Sequence, residues 1–166
     1  MLQILAPHLR VESVLELDVE RLRDMELDAL LLDVDCTLKS YRSDVPSAEV
    51  STWLRGLQTA GIGLCLVSNG LGRRIERLAA RLDVPFVAKA AKPFPFGVRA
   101  ALRKTGFDPK RTAMVGDQLF ADVIAGRLAG LTSILVRPIR PEEEPWFTRL
   151  KRPVERLLLE RGSERT

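Results

Sequence analysis

The sequence predicts a three-layer α/β protein in which helices cover both faces of a five-stranded parallel sheet. Two observations support this fold class: short apolar runs alternate with segments of helical periodicity, and polar residues directly follow several of the apolar runs. Alternating strands and helices favour right-handed crossovers, which make the strands parallel and bury both faces of the sheet. Ligands of such sheets bind beyond the carboxyl ends of the strands, so the polar residues there form the candidate site.

Five apolar runs are predicted to be the strands. They are residues 29–35, 62–68, 85–89, 111–116 and 132–138. The first run, "ALLLDVD", is almost continuously leucine before its two aspartates, as expected of a strand buried on both faces.

Four segments between these runs are predicted to be helices. They are residues 47–61, 72–83, 93–106 and 121–130. Ser47 is a suitable N-terminal cap for the first helix. Gly61, Gly106 and Gly130 are suitable ends for the first, third and fourth helices.

The length and composition fit one globular domain. A chain of 166 residues with 46% hydrophobic and 29% charged residues can bury a substantial core. We expect this core at residues 28–137, a helical segment at residues 1–27 and a basic amphipathic segment at residues 139–166. The net charge of +4 favours anionic partners, although no nucleic acid is expected.

A cytoplasmic location is expected, either free or peripheral at the inner face of a membrane. No apolar run approaches the roughly 18–20 residues that span a bilayer. The N-terminus also lacks the basic start and long apolar middle of a signal peptide.

Polar residues from four predicted strands are expected to meet at one edge of the sheet. They are Asp33, Asp35, Ser68, Asn69, Lys92 and Asp117. Three carboxylates that converge in a crevice need a cation, and oxygen ligands alone indicate Mg²⁺. Together with Lys92 and a hydroxyl such as Ser68, this set suits a phosphoryl group, and an aspartate can attack phosphorus as a nucleophile.

Each part of this set also has a simpler explanation. Asp33 and Asp35 could merely end a strand, and Ser68 and Asn69 could form a turn. Asp122 could lie in the first turn of its helix because the helix dipole favours an acid there. The concurrence of polar residues at four strand ends favours the functional interpretation.

Four short motifs contain these polar residues: "DVDCT" at residues 33–37, "LVSN" at residues 66–69, Lys92 in "AAKPFP", and "VGDQLFAD" at residues 115–122. They resemble the motifs of the haloacid dehalogenase superfamily of phosphatases. Within subfamily IIIA the chain is most similar to the YqeG-like branch, which includes phosphatidylglycerophosphate phosphatases. The closer likeness rests on "GDQLFAD", "KPFP" and the tail "WFTRLKRPVER".

The resemblance implies a Rossmann-like core and a set of catalytic roles. Asp33 would be the nucleophile and a ligand of Mg²⁺, and Asp35 would be the general acid and base and bind the metal through its backbone carbonyl. Asp117 would complete the metal site, and Asp122 would support it or orient Lys92. Contacts with the substrate would come from Thr37, Ser68, Asn69 and Lys92.

Neither gap between the first three motifs has room for a cap domain. An uncapped site is open to bulky substrates, including macromolecules and lipid headgroups at a membrane. The segment "WFTRLKRPVERLLLERG", residues 146–162, mixes aromatic, apolar and basic residues and could lie on an anionic bilayer. The simpler alternative is a terminal helix packed on the sheet with a solvated face, and Pro153 weakens the amphipathic pattern.

The sequence thus predicts a Mg²⁺-dependent phosphomonoesterase that works through an aspartyl-phosphate. The resemblance implies phosphatidylglycerophosphate as substrate and phosphatidylglycerol as product. Two alternatives stay open: a phosphatase of soluble small molecules or proteins, and a non-catalytic binding module that keeps the fold.

Overall fold

A computed structural model of the chain describes residues 2–163, and describes side chains at residues 4–160. The strands are β1 (Leu9–Val11), β2 (Ala29–Leu32), β3 (Gly63–Val67), β4 (Phe86–Val87), β5 (Thr112–Gly116) and β6 (Thr132–Val136). The helices are α1 (Val19–Asp24), α2 (Ala48–Thr59), α3 (Gly72–Leu82), α4 (Phe96–Thr105), α5 (Ile124–Leu128), α6 (Trp146–Arg149) and α7 (Arg152–Ser163).

All six strands are parallel and form one sheet in the order β1-β6-β5-β2-β3-β4. This confirms the predicted fold class and corrects its strand count from five to six. The additional strand, β1, lies in the segment expected to be helical, where it pairs with β6 through Leu9 opposite Ile134 and Val11 opposite Val136. Three residues are too few for a recognisable period, and a pairing with a strand so distant in sequence leaves no local signal.

The hydrophobic core lies on both faces of the sheet because successive residues of a strand point in opposite directions. On one face, Leu30 and Leu32 of β2 pack in a cluster with Leu54 of α2. On the other face, Leu31 packs in a second cluster that contains Val98 of α4 and Ala125 of α5. The burial of every residue of β2 explains its nearly continuous leucine sequence.

Capping residues set the ends of the helices. The Ser47 hydroxyl accepts a hydrogen bond from the backbone N–H of Val50 at 3.2 Å, as the sequence predicts for the start of α2. Gly106 ends α4 in the left-handed conformation, with φ of 75°. The helix predicted at residues 121–130 is not regular: a wide π-helical turn at Leu119–Val123 precedes the short α5.

The carboxyl edge of the sheet has no cap domain within the part of the chain that the structure describes. One helix, α2, lies between Thr37 and Ser68, and α3 with β4 fills the interval from Asn69 to Lys92. Within residues 2–163, none of the helices has the length and apolar character needed to cross a bilayer.

The C-terminal segment packs against the core and turns towards the site. Leu158 and Leu159 of α7 contact a cluster formed by Leu119, Val123 and Leu135. Part of the apolar surface of the predicted amphipathic segment is therefore covered by the protein itself. Residues 164–166 of that segment lie outside the described residues.

Candidate active site

The ends of neighbouring strands bring the first of the predicted acids to one place, Asp33 after β2 and Asp117 after β5. Leu32 of β2 lies opposite Leu66 of β3 and Val115 of β5, so the next residues of all three strands emerge side by side. The backbone N–H of Asp33 extends this ladder by donating to the carbonyl of Val115 at 2.9 Å. The register of the sheet therefore fixes where the acidic side chains begin.

The Lys92 ammonium is buried at the centre of the site. Its Nζ donates to Oδ1 of Asp33 at 2.6 Å, to Oδ1 of Asp122 at 2.6 Å and to the carbonyl of Val67 at 2.8 Å. These three acceptors match the three N–H bonds of the ammonium. Burial alone would lower the pKa of Lys92, but the carboxylates of Asp122 and Asp33 outweigh it and raise that pKa above its ordinary value.

Asp33, Asp117 and Asp122 form a compact acidic cluster in which one oxygen of each lies within 4.8 Å of the others. The Thr37 hydroxyl lies between two of them, 3.2 Å from Oδ2 of Asp33 and 3.1 Å from Oδ1 of Asp117. Burial raises the pKa of Asp33 to about 6 and raises the pKa of Asp117 well above its ordinary value. Ionised acids in this cluster therefore need further positive charge.

The charge of this cluster fits a divalent cation. Three carboxylates face one ammonium, that of Lys92, which leaves an excess of two negative charges. A hard dication prefers carboxylate oxygens and would neutralise that excess. Asp33 and Asp117 thus lie where the sequence predicts metal ligands, and Asp122, predicted to support them, lies in the same cluster.

The Asp35 carboxylate is not part of the acidic cluster and is held by two cations. Its Oδ1 accepts from Nζ of Lys39 at 2.7 Å, and its Oδ2 accepts from the guanidinium of Arg74. Because the side chain is engaged there, a metal contact of Asp35 would have to come from its backbone carbonyl, as the family resemblance implies. Lys39, which is buried, and Arg74 are not among the site residues that the sequence predicts.

Asn69 holds the backbone of Lys92. Its side-chain oxygen accepts from the Lys92 N–H at 2.8 Å, and its side-chain nitrogen donates to the Lys92 carbonyl at 2.9 Å. The structure therefore shows a positioning contact where the sequence predicts a contact with substrate. Ser68 is buried beside it, accepts from the N–H of Gly70 at 3.0 Å and lines the cavity of the site.

The π-helical turn presents Asp122 to Lys92. Oδ2 of Asp122 accepts from the N–H of Gln118 at 3.0 Å while Oδ1 accepts from Lys92. A Cβ at Gly116 would collide with the Asp122 carboxylate, so this close approach requires glycine at the end of β5. The sequence marks Gly116 only as the last residue of a predicted strand, and its role depends on the contact across the turn.

The C-terminal segment contributes three charged residues that sequence reasoning did not assign to the site. The Arg152 guanidinium donates to the carbonyl of Asp117 at 2.7 Å and pairs with Oδ2 of the same residue. It also donates to both carboxylate oxygens of Glu144, at 3.1 and 2.6 Å. Glu155 accepts from the N–H of Phe120 at 2.9 Å, in the π-helical turn. The sequence shows these residues only as part of a charged amphipathic tail.

An open cavity of about 500 Å³ lies above these groups. Asp33, Ser68 and Lys92 line its interior, and Leu71 and Phe147 are among the residues around it. The open cavity therefore lets a ligand from the surface reach the Asp33 carboxylate. Its cations and hydroxyl suit an oxyanion, and the acidic cluster suits a metal that would bind the same oxyanion.

Comparison with known proteins identifies similar sequences. Residues 6–130 match the sequence model of a family described as haloacid dehalogenase-like hydrolase. The chain is 29% identical to a probable phosphatase, YqeG, of Bacillus subtilis over 90% of this chain and 86% of that protein. It is 26% identical to phosphatidylglycerophosphate phosphatase 1 of Arabidopsis thaliana over 96% of this chain, which spans 48% of that longer protein.

Solved structures share the fold. One is 3-deoxy-D-manno-octulosonate 8-phosphate phosphatase from Moraxella catarrhalis, in complex with magnesium and phosphate ions, with a TM-score of 0.56 and 18% sequence identity. The match covers 74% of this chain and 76% of that one.

Proposed function

The chain belongs to the haloacid dehalogenase-like hydrolases, and we propose that it is a Mg²⁺-dependent phosphomonoesterase that works through an aspartyl-phosphate on Asp33. The observation that carries this proposal is the cluster of Asp33, Asp117 and Asp122 around Lys92 at the floor of an open cavity. The phosphatases among the similar proteins support the reaction class.

The first step would be attack of an Asp33 oxygen on the phosphorus of the ester. The new bond joins that oxygen to phosphorus, and the bond from phosphorus to the alcohol oxygen breaks. Asp35 lines the cavity, and in its protonated form it would give its proton to the leaving oxygen. Lys92 would balance charge on the attacking carboxylate and on the phosphoryl oxygens.

The second step would regenerate the enzyme. Asp35 takes a proton from a water molecule, whose oxygen attacks phosphorus, and Asp33 leaves as a carboxylate with release of inorganic phosphate. A bound Mg²⁺, held by Asp33, Asp117 and the Asp35 carbonyl, would neutralise the phosphoryl oxygens. Ser68 would donate a hydrogen bond to those oxygens.

We propose phosphatidylglycerophosphate, presented at the inner face of a membrane, as the substrate. The surroundings of the site support a lipid surface as partner. Leu71 is 74% exposed, Phe147 is 56% exposed, and both line the cavity of the site. Phe94 and Phe96, which follow Lys92, are exposed and stack on each other with ring centroids 6.1 Å apart.

Basic side chains accompany these apolar ones. Lys151 lines the same cavity, Arg149 on α6 is exposed, and Arg73, two residues after Leu71, is exposed as well. Exposed aromatic residues together with basic residues favour an anionic bilayer, because the former enter the interface and the latter pair with acidic headgroups. Contact with a membrane would thus come from the surroundings of the site rather than from a whole face of α7.

The test compares phosphatidylglycerophosphate in anionic vesicles with soluble phosphate esters, including glycerol phosphate and an aryl phosphate. We expect Mg²⁺-dependent release of phosphate from the vesicles at a kcat/KM well above that for glycerol phosphate. The double variant Leu71→Ser/Phe147→Ser should lose about tenfold or more on vesicles, since each exposed side chain buried in the interface contributes about 1–3 kcal/mol, and should keep its rate on the aryl phosphate. Leu15→Ser, at an exposed residue of the N-terminal region, is the matched control.

Other outcomes would redirect the proposal. Rapid turnover of soluble phosphates without turnover of the lipid would identify a phosphatase of soluble substrates. A protein that hydrolyses no phosphate ester with Mg²⁺ present would contradict the catalytic proposal and favour a binding module.

A further inference from the structure

Resting on the proposed metal site, we propose that Arg152 of α7 is a positioning residue for the metal-binding carboxylate Asp117, so that the C-terminal segment is part of the metal site. The family match ends at residue 130, and Arg152 lies beyond it. No other residue of the segment that follows the sheet contacts a predicted metal ligand as extensively in the described part of the chain.

Arg152 holds Asp117 through the carboxylate oxygen that does not contact Thr37. Oδ1 of Asp117 faces the Thr37 hydroxyl, which also contacts Asp33, so this oxygen lies on the side of the proposed cation. Arg152 pairs with the other oxygen, Oδ2, and also bonds the backbone carbonyl of Asp117. The two contacts fix both the backbone and the carboxylate plane while leaving Oδ1 directed towards the cluster.

Glu144 makes a largely buried guanidinium possible at this position. The Arg152 side chain is 17% exposed and that of Glu144 is 3% exposed. Glu144 accepts two hydrogen bonds from Arg152 and balances its charge. The fork of the guanidinium has enough donors to bond Glu144 and Asp117 together, which a lysine ammonium could not reproduce with the same geometry.

The same helix also supports the turn that carries Asp122. Glu155, one turn after Arg152, accepts from the N–H of Phe120 in the π-helical turn. Leu158 and Leu159 hold α7 against Leu119 and Val123 of that turn. The C-terminal segment therefore contacts the supports of two of the three clustered acids, through Arg152 at Asp117 and through Glu155 at the turn of Asp122.

An alternative role for Arg152, as a substitute for the metal cation, predicts the opposite change in Mg²⁺ affinity. If the guanidinium were a substitute cation that competes with Mg²⁺, its removal would tighten the binding of the metal. If it is a positioning residue, its removal frees the Asp117 carboxylate to rotate and weakens binding. The direction of the change in Mg²⁺ affinity therefore decides between the two roles.

The experiment measures Mg²⁺ binding to the full chain by calorimetry and the Mg²⁺ concentration for half-maximal hydrolysis of an aryl phosphate. Arg152→Gln should weaken Mg²⁺ binding about 10- to 100-fold, the usual loss for a group that orients a metal ligand. The kcat at saturating Mg²⁺ should stay within a few-fold of wild type. Arg152→Lys should give an intermediate value. Arg156→Gln, at an exposed arginine one turn further along α7, should not change the affinity.

A second variant separates positioning from folding. Arg152→Gln leaves Glu144 buried without its cation and can unfold the protein, whereas Arg152→Met/Glu144→Gln removes both charges. The double variant should melt at a higher temperature than Arg152→Gln in EDTA and still bind Mg²⁺ about 10- to 100-fold more weakly than wild type. Unchanged or tighter binding of Mg²⁺ in a folded variant would overturn the proposal. Calorimetry gives this answer even if the wild-type protein hydrolyses no phosphate ester, an outcome that would count against the proposed function alone.

Discussion

The strand ends and the C-terminal segment both deliver charged residues to one acidic cluster, but they are organised differently. At the strand ends, Asp33 and Asp117 follow paired strands whose register fixes their backbones. In the C-terminal segment, Arg152 reaches the cluster through a side chain that is paired with Glu144. The strand ends carry an excess of negative charge, whereas the Arg152–Glu144 pair is balanced. The chemistry of the site thus comes from the first region, and its support comes partly from the second.

The largest expected effect is that of Lys92→Met at the strand ends. This change leaves Asp33 and Asp122 buried without their shared cation. We expect hydrolysis of an aryl phosphate to fall by about three orders of magnitude, and the free energy of unfolding in EDTA to fall by about 3–5 kcal/mol. Steady-state kinetics and urea unfolding measure the two effects.

Lys110→Met is the matched control because Lys110 is exposed at the other end of β5. If Lys92→Met kept the activity of this control, Lys92 would have no part in the reaction.

The next effect is a gain of stability from Asp33→Asn in the absence of metal. Burial outweighs the attraction of Lys92 and raises the pKa of Asp33 to about 6, so the folded state binds this proton more tightly than the unfolded state. The stabilisation from that proton is complete below the ordinary pKa and is lost as the pH rises through about 6. Asparagine imitates the protonated form, so the variant should be more stable than wild type by roughly 3 kcal/mol at neutral pH in EDTA.

Thermal melting from pH 4 to 8, with EDTA or with Mg²⁺, checks this prediction. The difference between variant and wild type should grow as the pH rises in EDTA and should shrink when Mg²⁺ is present. A variant less stable than wild type at neutral pH in EDTA would show that the strand ends carry no excess charge.

The smallest effect is expected in the C-terminal segment, from Glu155→Ala. Loss of this carboxylate leaves the N–H of Phe120 without its acceptor, and such a loss costs about 1–3 kcal/mol. Activity at saturating Mg²⁺ should change little. Urea unfolding compares the variant with Glu160→Ala, at an exposed residue of the same helix, which should match wild type. Equal stability of the two variants would show that Glu155 does not stabilise the π-helical turn.

The same comparison explains what could be predicted from the sequence. The acids at the strand ends were predictable because each follows an apolar run, and the family prediction that rested on them is confirmed by the match over residues 6–130. The parallel sheet is confirmed as well. These features are local in sequence, because an apolar run and the acid that follows it are adjacent in the chain.

The remaining features depend on contacts between distant residues. The pairing of β1 with β6 joins residues from opposite ends of the chain, and the contact of Arg152 with Asp117 joins residues 35 positions apart. Arg74 has an ordinary helical sequence around it, and only the fold brings it to Asp35. The fold also brings the backbone of Lys92 to the Asn69 side-chain amide. The sequence therefore predicts that Asn69 lies at the site but does not show that it bonds the carbonyl and N–H of Lys92.

The most direct test of the central claim is the Mg²⁺-dependent hydrolysis of an aryl phosphate by Asp33→Asn protein. Because asparagine cannot form the acyl phosphate, we expect kcat to fall by at least about three orders of magnitude in a protein that remains folded. Asp28→Asn, at an exposed aspartate paired with Arg111 at the start of β2, should keep the wild-type rate. Hydrolysis by Asp33→Asn at the rate of wild type would contradict the assignment of Asp33 as the nucleophile.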